Sequence, residues 1–180
     1  MGAPIAALQG HSKAVRSSSF SPNSSWLALV SYNGTVRLWD GATGAPIATL
    51  EGHSGFVTSL SFSPDSSWLA SGSYHGTLRL WDGATRAPIA TLKGHSDAVR
   101  SLSFSPDSSQ LALGSNDKTV RLWDGATGVP IATLVGHSDP AMSLSFSPDS
   151  HLQGWHPIHL FFITLSPHLS ICFNVGKHNL

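Results

Sequence analysis

The sequence has one cysteine, few charged residues and no long apolar run, and these shortages exclude several classes of protein. Cys172 is the only cysteine among 180 residues, so no disulfide can form within the chain, which argues against a disulfide-stapled secreted domain. Ten Lys and Arg residues balance ten Asp and Glu residues. This neutral composition gives no electrostatic reason to expect nucleic acid or a membrane surface as a partner, and we predict neither.

What the sequence does contain is typical of a globular protein. Apolar residues make up 41% of the chain, which is enough to build a buried core. The first residues, MGAPIAALQGH, lack the basic segment and apolar run of a signal peptide. We therefore expect a cytoplasmic location, with the nucleus as the alternative.

Two dipeptides recur at a fixed interval of 42 residues. Gly-His begins at residues 10, 52, 94 and 136, and Trp-Asp begins at residues 39, 81 and 123. The units 10–51, 52–93 and 94–135 align without a gap, and the first two differ at only 11 of 42 positions. A period of this length indicates a repeated structural unit.

Each unit is predicted to form four short strands, which we label a to d and illustrate on the second unit. Strand a, Phe56 to Phe62, ends at a Ser-Pro-Asp-Ser turn, because proline cannot donate to a central ladder. Strands b (68–73) and c (77–81) flank Tyr74-His75-Gly76, whose first-unit counterpart Asn33-Gly34 is a strong hairpin signal. Strand d, 88–92, begins with a proline and is therefore expected at the outer edge of its sheet.

The paired dipeptides, the period and the four-strand pattern together resemble the WD40 family. The resemblance covers residues 1–150, with three whole repeats and a partial fourth at 136–150, and leaves 151–180 as a divergent tail. It implies an all-β fold of propeller blades and a scaffold that binds other proteins or peptides, with no cofactor and no catalysis. The near-identical units also resemble the WD40 arrays that follow NACHT domains in fungal incompatibility receptors.

The resemblance also implies a buried network in each blade, made by the Gly-His histidine, a Ser or Thr on strand b, an Asp in the b–c turn and the tryptophan of strand c. Leu29 and Leu113 replace the hydroxyl in the first and third repeats, and Asn33 and His75 replace the Asp in the first and second. We expect blades of moderate stability, since each missing hydrogen bond costs roughly 0.5–1.5 kcal/mol. The matching network residues are His11, Trp39, His53, Ser71, Trp81, His95, Asp117 and Trp123.

The positions at which the repeats differ are candidates for partner recognition. Three columns vary: three and five residues after the Gly-His histidine, and just before the b–c turn. In the WD40 family these places lie on the top surface, where partners commonly bind, and aromatic and Arg residues are enriched in interface hot spots. Neutral drift on a solvated rim is the alternative. The predicted partner-binding residues are Ala14, Arg16, Tyr32, Phe56, Thr58, Tyr74, Ala98, Arg100 and Asn116.

Three side-chain patterns are predicted to have no catalytic or ligand-binding role. Runs such as His95-Ser96-Asp97 contain the residue types of a hydrolase triad, but triads are assembled from residues distant in sequence, so we expect a structural role. The arginines at 37, 79 and 121 are expected to pair with neighbouring acids. Zinc ligands are present by type in the tail, but their spacing matches no zinc motif and we predict no metal. These tail residues are His151, His156, His159, His168, His178 and Cys172.

Both ends of the chain depart from the whole repeat. Gly2 to Leu8 matches strand d of the first repeat, Gly44 to Leu50, and we expect it to pair with the C-terminal blade. Two apolar runs of the tail, Ile158 to Leu165 and Leu169 to Val175, are predicted to act as strands b and c of the fourth blade. A membrane helix is a poor alternative because the runs are short and separated by a proline.

About 150 repeat residues at 42 per blade make about three and a half blades, fewer than the 4–8 of closed propellers. We therefore expect an incomplete or open propeller whose uncovered edges invite self-association. The predicted function is protein–protein interaction. The alternatives are a fragment of a larger WD40 protein without independent function and, less favoured, a catalytic propeller.

Overall fold

The structure is a computed structural model, and it describes residues 8–146, 158–163 and 170–175. These residues form fifteen strands and no helix, so no helix in the described ranges is long and apolar enough to cross a membrane. The strands form three four-stranded antiparallel sheets and one three-stranded sheet. The predicted all-β class is confirmed.

The three complete sheets follow the repeats, and we call them blades 1, 2 and 3. Within each, neighbours in sequence pair antiparallel in the order a, b, c, d, so strand d is outermost as predicted. The bounds of the second repeat agree with the predicted ones to within one residue. Blade 1 contains β1 (Val15–Phe20), β2 (Trp26–Ser31), β3 (Val36–Asp40) and β4 (Pro46–Leu50). Blade 2 contains β5 (Val57–Phe62), β6 (Trp68–Ser73), β7 (Thr77–Asp82) and β8 (Pro88–Lys93). Blade 3 contains β9 (Val99–Phe104), β10 (Gln110–Ser115), β11 (Val120–Asp124) and β12 (Pro130–Leu134).

Short side chains hold the turns between strands. In the a–b turn of blade 2, Ser63 donates its hydroxyl to the Asp65 carboxylate at 2.6 Å and accepts the backbone N–H of Trp68 at 2.9 Å. In the c–d loop, the carboxylate of Asp82 accepts both the backbone N–H and the hydroxyl of Thr85. These bonds lower the pKa of Asp82. The Asp of the Trp-Asp pair is therefore the residue that shapes this loop, as Asx-type bonds do elsewhere.

The b–c turn of each blade packs against the d–a loop of the next. Gly76 has a φ of +72°, and a Cβ built at this position would lie 2.5 Å from the backbone oxygen of His95. Any side chain here would clash with backbone as well as strain the turn. The glycine therefore allows blades 2 and 3 to approach closely at the top.

The core lies between blades, not within them. We call the trailing face of a blade the side that packs on the blade after it, and the leading face the opposite side. Blade 1 presents Ala28, Val30 and Leu38 on its trailing face, against the leading face of blade 2, which includes Phe62 and Trp81. The same arrangement repeats between blades 2 and 3 and between blade 3 and the strand that follows. Each blade is thus stabilised mainly by its neighbours.

The fourth sheet is formed by the end of the repeat and by the tail. Strands β13 (Leu144–Phe146), β14 (Ile158–Ile163) and β15 (Ser170–Val175) pair antiparallel in that order. The prediction that the two apolar runs of the tail act as strands b and c is confirmed. The predicted N-terminal strand d, Gly2 to Leu8, lies almost wholly outside the described residues.

The leading face of blade 1 is open. Val15 is 47% exposed and Phe20 is 55% exposed, whereas their blade 2 counterparts Val57 and Phe62 are 0% and 5% exposed. No strand in the described ranges packs on this face of blade 1. An open, incomplete propeller is therefore the architecture of the described chain.

Candidate functional site: the network and the top rim

The hydrogen-bonded network of blade 2 is centred on one hydroxyl. Ser71 Oγ accepts the indole N–H of Trp81 at 2.9 Å and lies 2.7 Å from Nε2 of His53. Burial, together with the nearby Arg79 guanidinium, lowers the pKa of His53 to about 4. His53 is therefore neutral near pH 7 and links strand b to the d–a loop as a structural residue.

Blade 3 has the histidine–aspartate pair of the network and lacks the strand-b hydroxyl. His95 Nδ1 lies 2.8 Å from the Asp117 carboxylate, which also accepts the backbone N–H of Ser96. Burial alone would raise the pKa of Asp117, but hydrogen bonds from Thr119, His95 and backbone groups lower it to about 2. Because Leu113 stands where blade 2 has Ser71, the indole nitrogen of Trp123 is buried without a hydrogen-bond partner among the described residues. The predicted loss of this bond is confirmed.

Blade 1 keeps the ring packing of the network and lacks its strand-b hydroxyl. His11 lies 5.6 Å from Trp39 between ring centroids, and neither of its ring nitrogens makes a hydrogen bond of good geometry within the described chain. Burial and the Arg37 guanidinium lower the pKa of His11. This blade, with two of the four network types, has the weakest network, as its sequence predicts.

Within the described residues, the arginines at 37, 79 and 121 form no ion pair with an acid, so that prediction is wrong. The one ion pair in the described residues is His95 with Asp117. Each arginine instead lies against the glycine of its own Gly-His pair, at Gly10, Gly52 and Gly94, and Arg79 also stacks on Trp81 at 5.7 Å. Their positive charge disfavours protonation of the adjacent histidine, which helps to keep the network neutral.

The predicted rim residues of three blades form a continuous row. Arg16 lies over the ring of Tyr32 at 5.2 Å, Tyr32 meets Phe56 edge-on at 5.1 Å between centroids, and Phe56 meets Tyr74 at 6.2 Å. Arg100 lies over Tyr74 at 5.9 Å and donates its Nε–H to the Asn116 side chain at 2.8 Å. We call this row the rim ladder: Arg16, Tyr32, Phe56, Tyr74, Arg100 and Asn116.

The other three predicted rim residues have different surroundings. Ala14 is exposed. Ala98 is 0% exposed, so its selection as a partner-binding residue is wrong: the column that carries the protruding Phe56 in blade 2 carries a core methyl group in blade 3. The hydroxyl of Thr58 donates to the backbone oxygens of Gly72 and Val99 and ties blade 2 to blade 3.

Two features of this surface were not predicted. Lys13 lies 6.0 Å from the centre of the Phe56 ring, which adds a cation beside the ladder. A cavity of about 320 Å³ opens next to the ladder along the inner strands of the blades. The sequence signal for this cavity is the column five residues after each Gly-His histidine. All four of its members line the cavity: Arg16, Thr58, Arg100 and Met142.

Two patterns that the sequence raised as metal or catalytic candidates can be compared with the structure. No group of three His, Cys, Asp or Glu side chains comes together as a metal site in the parts of the chain that the structure describes. The side chains of the tail histidines and Cys172 lie outside that description. In the run 95–97, His95 contacts Asp117 and not Asp97, whose carboxylate accepts the backbone N–H of Ala98.

Comparisons with known proteins agree with the repeat pattern. The family model described as WD domain, G-beta repeat, matches residues 2–40, 44–82, 86–124 and 128–164, so the fourth match runs past residue 150 into the tail. The chain is 27% identical to U3-55K, with a TM-score of 0.74 over 76% of this chain and 44% of that one. The crystal structure of RRP9 WD40 repeats matches at 27% identity and a TM-score of 0.74, over 76% and 43% of the two chains.

This chain thus spans less than half of each of those two structures. The computationally designed Ika4 protein is similar over its whole length. It is 26% identical to this chain, with a TM-score of 0.81, over 98% of this chain and 100% of that one. The repeats, the antiparallel blades and the His–Ser–Trp network agree with the family match. The chain belongs to the WD40 family of WD-domain, G-beta-repeat proteins.

Proposed function

We propose that the chain is a protein-interaction module that holds a segment of another protein on the rim ladder and catalyses no reaction. The ladder itself carries this proposal. Phe56 and Tyr74 are 42% and 48% exposed although each is held by neighbouring rings or an arginine. Aromatic and Arg side chains that are already positioned lose little conformational entropy on binding, which makes them effective contact residues.

The absence of catalysis is proposed from the positions of the titratable groups. His53 and His95 are largely buried in the network, and burial lowers the pKa of both. A general base must reach a substrate proton, whereas these rings contact Ser71 and Asp117. A cytoplasmic site of action and the likeness to fungal NACHT-type arrays are proposals from sequence alone.

A peptide selection tests the binding proposal without a known partner. The full chain is used to select binders from a random peptide library, and their affinity is measured for the chain and two variants. Phe56→Ala with Tyr74→Ala should weaken binding at least about tenfold, since hot-spot side chains each contribute more than about 1 kcal/mol. The matched control is Ile131→Ala with Val135→Ala, two exposed apolar residues of which the first lies on the outer strand of blade 3 and the second directly after it. Equal losses in both variants, or no selected peptides, contradict the proposal.

A second candidate role is self-association through the open leading face of blade 1. Val15 and Phe20 occupy positions that a neighbouring blade covers in blades 2 and 3. Burying one such large side chain contributes roughly 1.5–3 kcal/mol. A trailing face of a second copy would provide the same kind of contact.

Light scattering coupled to size exclusion tests this second role. Phe20→Asp should convert an oligomer to a monomer, while Val135→Asp, which changes another exposed apolar residue, should not. A wild-type chain that is monomeric at all concentrations contradicts self-association. A polydisperse aggregate that neither substitution alters would favour a fragment without independent function.

A further inference from the structure

We propose that the inner cavity beside the rim ladder takes a carboxylate side chain from the bound segment, with Arg16 and Arg100 as its partners. This proposal rests on the proposed function, because it names the chemistry of the segment that the ladder holds.

The charge of the cavity is uncompensated. Its lining includes Arg16 and Arg100 and contains no Asp or Glu. Neither arginine forms an ion pair in the described chain, where the only such pair is His95 with Asp117. Two guanidinium groups at one concave surface repel each other, so an anion placed between them gains from both.

The acids nearest in sequence do not supply that anion. Asp97 and Asp139 stand on the d–a loops of the same rim, but neither lines the cavity. The carboxylate of Asp97 accepts the N–H of Ala98, and that of Asp139 accepts the Ser138 hydroxyl. The lining of the cavity is therefore left positive, and the two acids stay on the loops before β9 and β13.

The geometry of the arginines is fixed in advance. Arg16 is stacked on Tyr32, and Arg100 is stacked on Tyr74 and hydrogen-bonded through Nε to Asn116. That bond uses one of the donors of Arg100 and leaves its terminal nitrogens without hydrogen bonds in the described chain. Planar guanidinium groups held in this way bind carboxylates with two parallel bonds.

One buried hydroxyl in the cavity lining also lacks a hydrogen-bond partner among the described residues. Ser59 lines the cavity, is 7% exposed, and its Oγ has no hydrogen-bond partner among the described residues. Its counterpart Ser101 accepts the backbone N–H of Leu144, and Thr58 donates to backbone oxygens. The hydroxyl of Ser59 and the terminal nitrogens of Arg100 are therefore donors that the two oxygens of a carboxylate can accept.

The test compares acidic peptides with their neutral isosteres. In the peptides selected by the full chain, each Asp or Glu is changed to Asn or Gln, or to phosphoserine. We expect one acidic position at which neutralisation weakens binding at least about tenfold, as for a hydrogen bond to a charged group. This difference in affinity should become smaller at high salt, because salt screens the charges. No such position, or tighter binding of phosphoserine than of Glu there, overturns the proposal.

Variants of the chain assign the effect to the cavity. Arg16→Gln with Arg100→Gln should abolish the preference for Glu over Gln, whereas Lys93→Gln, which removes a cation from the outer strand of blade 2, should retain it. Arg16→Lys with Arg100→Lys should keep part of it, because the charge remains. Phe56→Ala, which removes neither of the two tyrosines on which the cavity arginines stack, should weaken both peptides equally and keep their ratio, which separates failure of this inference from failure of the proposed function.

A direct probe does not need a partner. Acetate is titrated into the chain while the Arg Nε–Hε signals are followed by NMR. The signals of Arg16 and Arg100 should shift together and before that of Arg37, which lies against Gly10 outside the cavity. The acetate concentration is varied over a 100-fold range up to saturation. Signals of both cavity arginines that stay unchanged over this range would overturn the assignment.

Discussion

Ser71 accepts the indole N–H of Trp81 across neighbouring strands at 2.9 Å, and the same oxygen lies 2.7 Å from His53. In blade 3, Leu113 occupies the position of Ser71, and the equivalent indole nitrogen of Trp123 is buried with no hydrogen-bond partner in the part of the chain that the structure describes. One residue of strand b therefore decides whether the indole N–H of the tryptophan has a partner. Blades that look alike in backbone differ in their polar interior for this reason.

Ser71→Ala should lower the free energy of unfolding by about 1–3 kcal/mol, because it leaves His53 and Trp81 buried without their partner. Urea denaturation followed by tryptophan fluorescence measures this change. The control is Ser103→Ala, since the Ser103 hydroxyl donates to the adjacent backbone oxygen of Phe104 at 3.3 Å, and a loss below about 0.5 kcal/mol is expected there. Equal losses in the two variants would contradict the role of Ser71.

Stability should fall as the pH falls from 7 to 4, with His53 as one cause. Its pKa is about 4 in the folded chain and about 6.5 in an unfolded one. Between these values the unfolded state binds more protons, so acid favours unfolding, and the loss at pH 5 is about 2 kcal/mol. Below pH 4 both states are protonated and this contribution changes no further.

Urea denaturation at pH 7.5 and pH 5 checks this prediction in the chain and in His53→Gln. His11 and His95 also have lowered pKa values, so the wild-type loss contains their contributions. The difference between the two proteins isolates His53. The same pH dependence in both would show that His53 does not contribute.

The fold was predictable because the repeat provides its own alignment. The 42-residue period marked each blade, and the turn residues marked each strand, so the strands of the second repeat were predicted to within one residue. The hydroxyl missing at Leu113 was also visible, since a leucine cannot accept a hydrogen bond. These inferences depend on residue type at a position, which a sequence shows directly.

Contacts between blades were harder to predict. The surfaces shared by two blades are formed by residues about 42 positions apart in sequence. Whether such residues meet depends on how the blades stack. Ala98 was placed on the rim with Phe56 by alignment, but its side chain is 0% exposed. The arginine at position 37 was paired with acids by charge, whereas packing places it against Gly10.

Arg86 should reveal a cost of backbone strain at the boundary of blades 1 and 2. It has a φ of +66°, where blades 1 and 3 have Gly44 and Gly128, and its guanidinium lies 5.2 Å from the Trp26 ring of blade 1. Arg86→Ala and Arg86→Gly both lose the ring contact, but only glycine relieves the left-handed backbone. The glycine variant should therefore be more stable than the alanine variant by about 1 kcal/mol. Equal stability in urea denaturation would show that the backbone at Arg86 is not strained.

The edge-on contact of Tyr32 with Phe56 should couple blades 1 and 2. The two rings are 5.1 Å apart and belong to different blades, so a double-mutant cycle of Tyr32→Ala and Phe56→Ala measures an interaction across the boundary. We expect a coupling energy of about 0.5–1.5 kcal/mol from urea denaturation. The control cycle pairs Tyr32 with Ile131 of blade 3, which shares no contact with it, and should be additive to within about 0.5 kcal/mol. Additivity in both cycles would mean that the side chains of the ladder are energetically independent. The ladder would then not be a preorganised binding surface, because the partner would have to order the rings on binding.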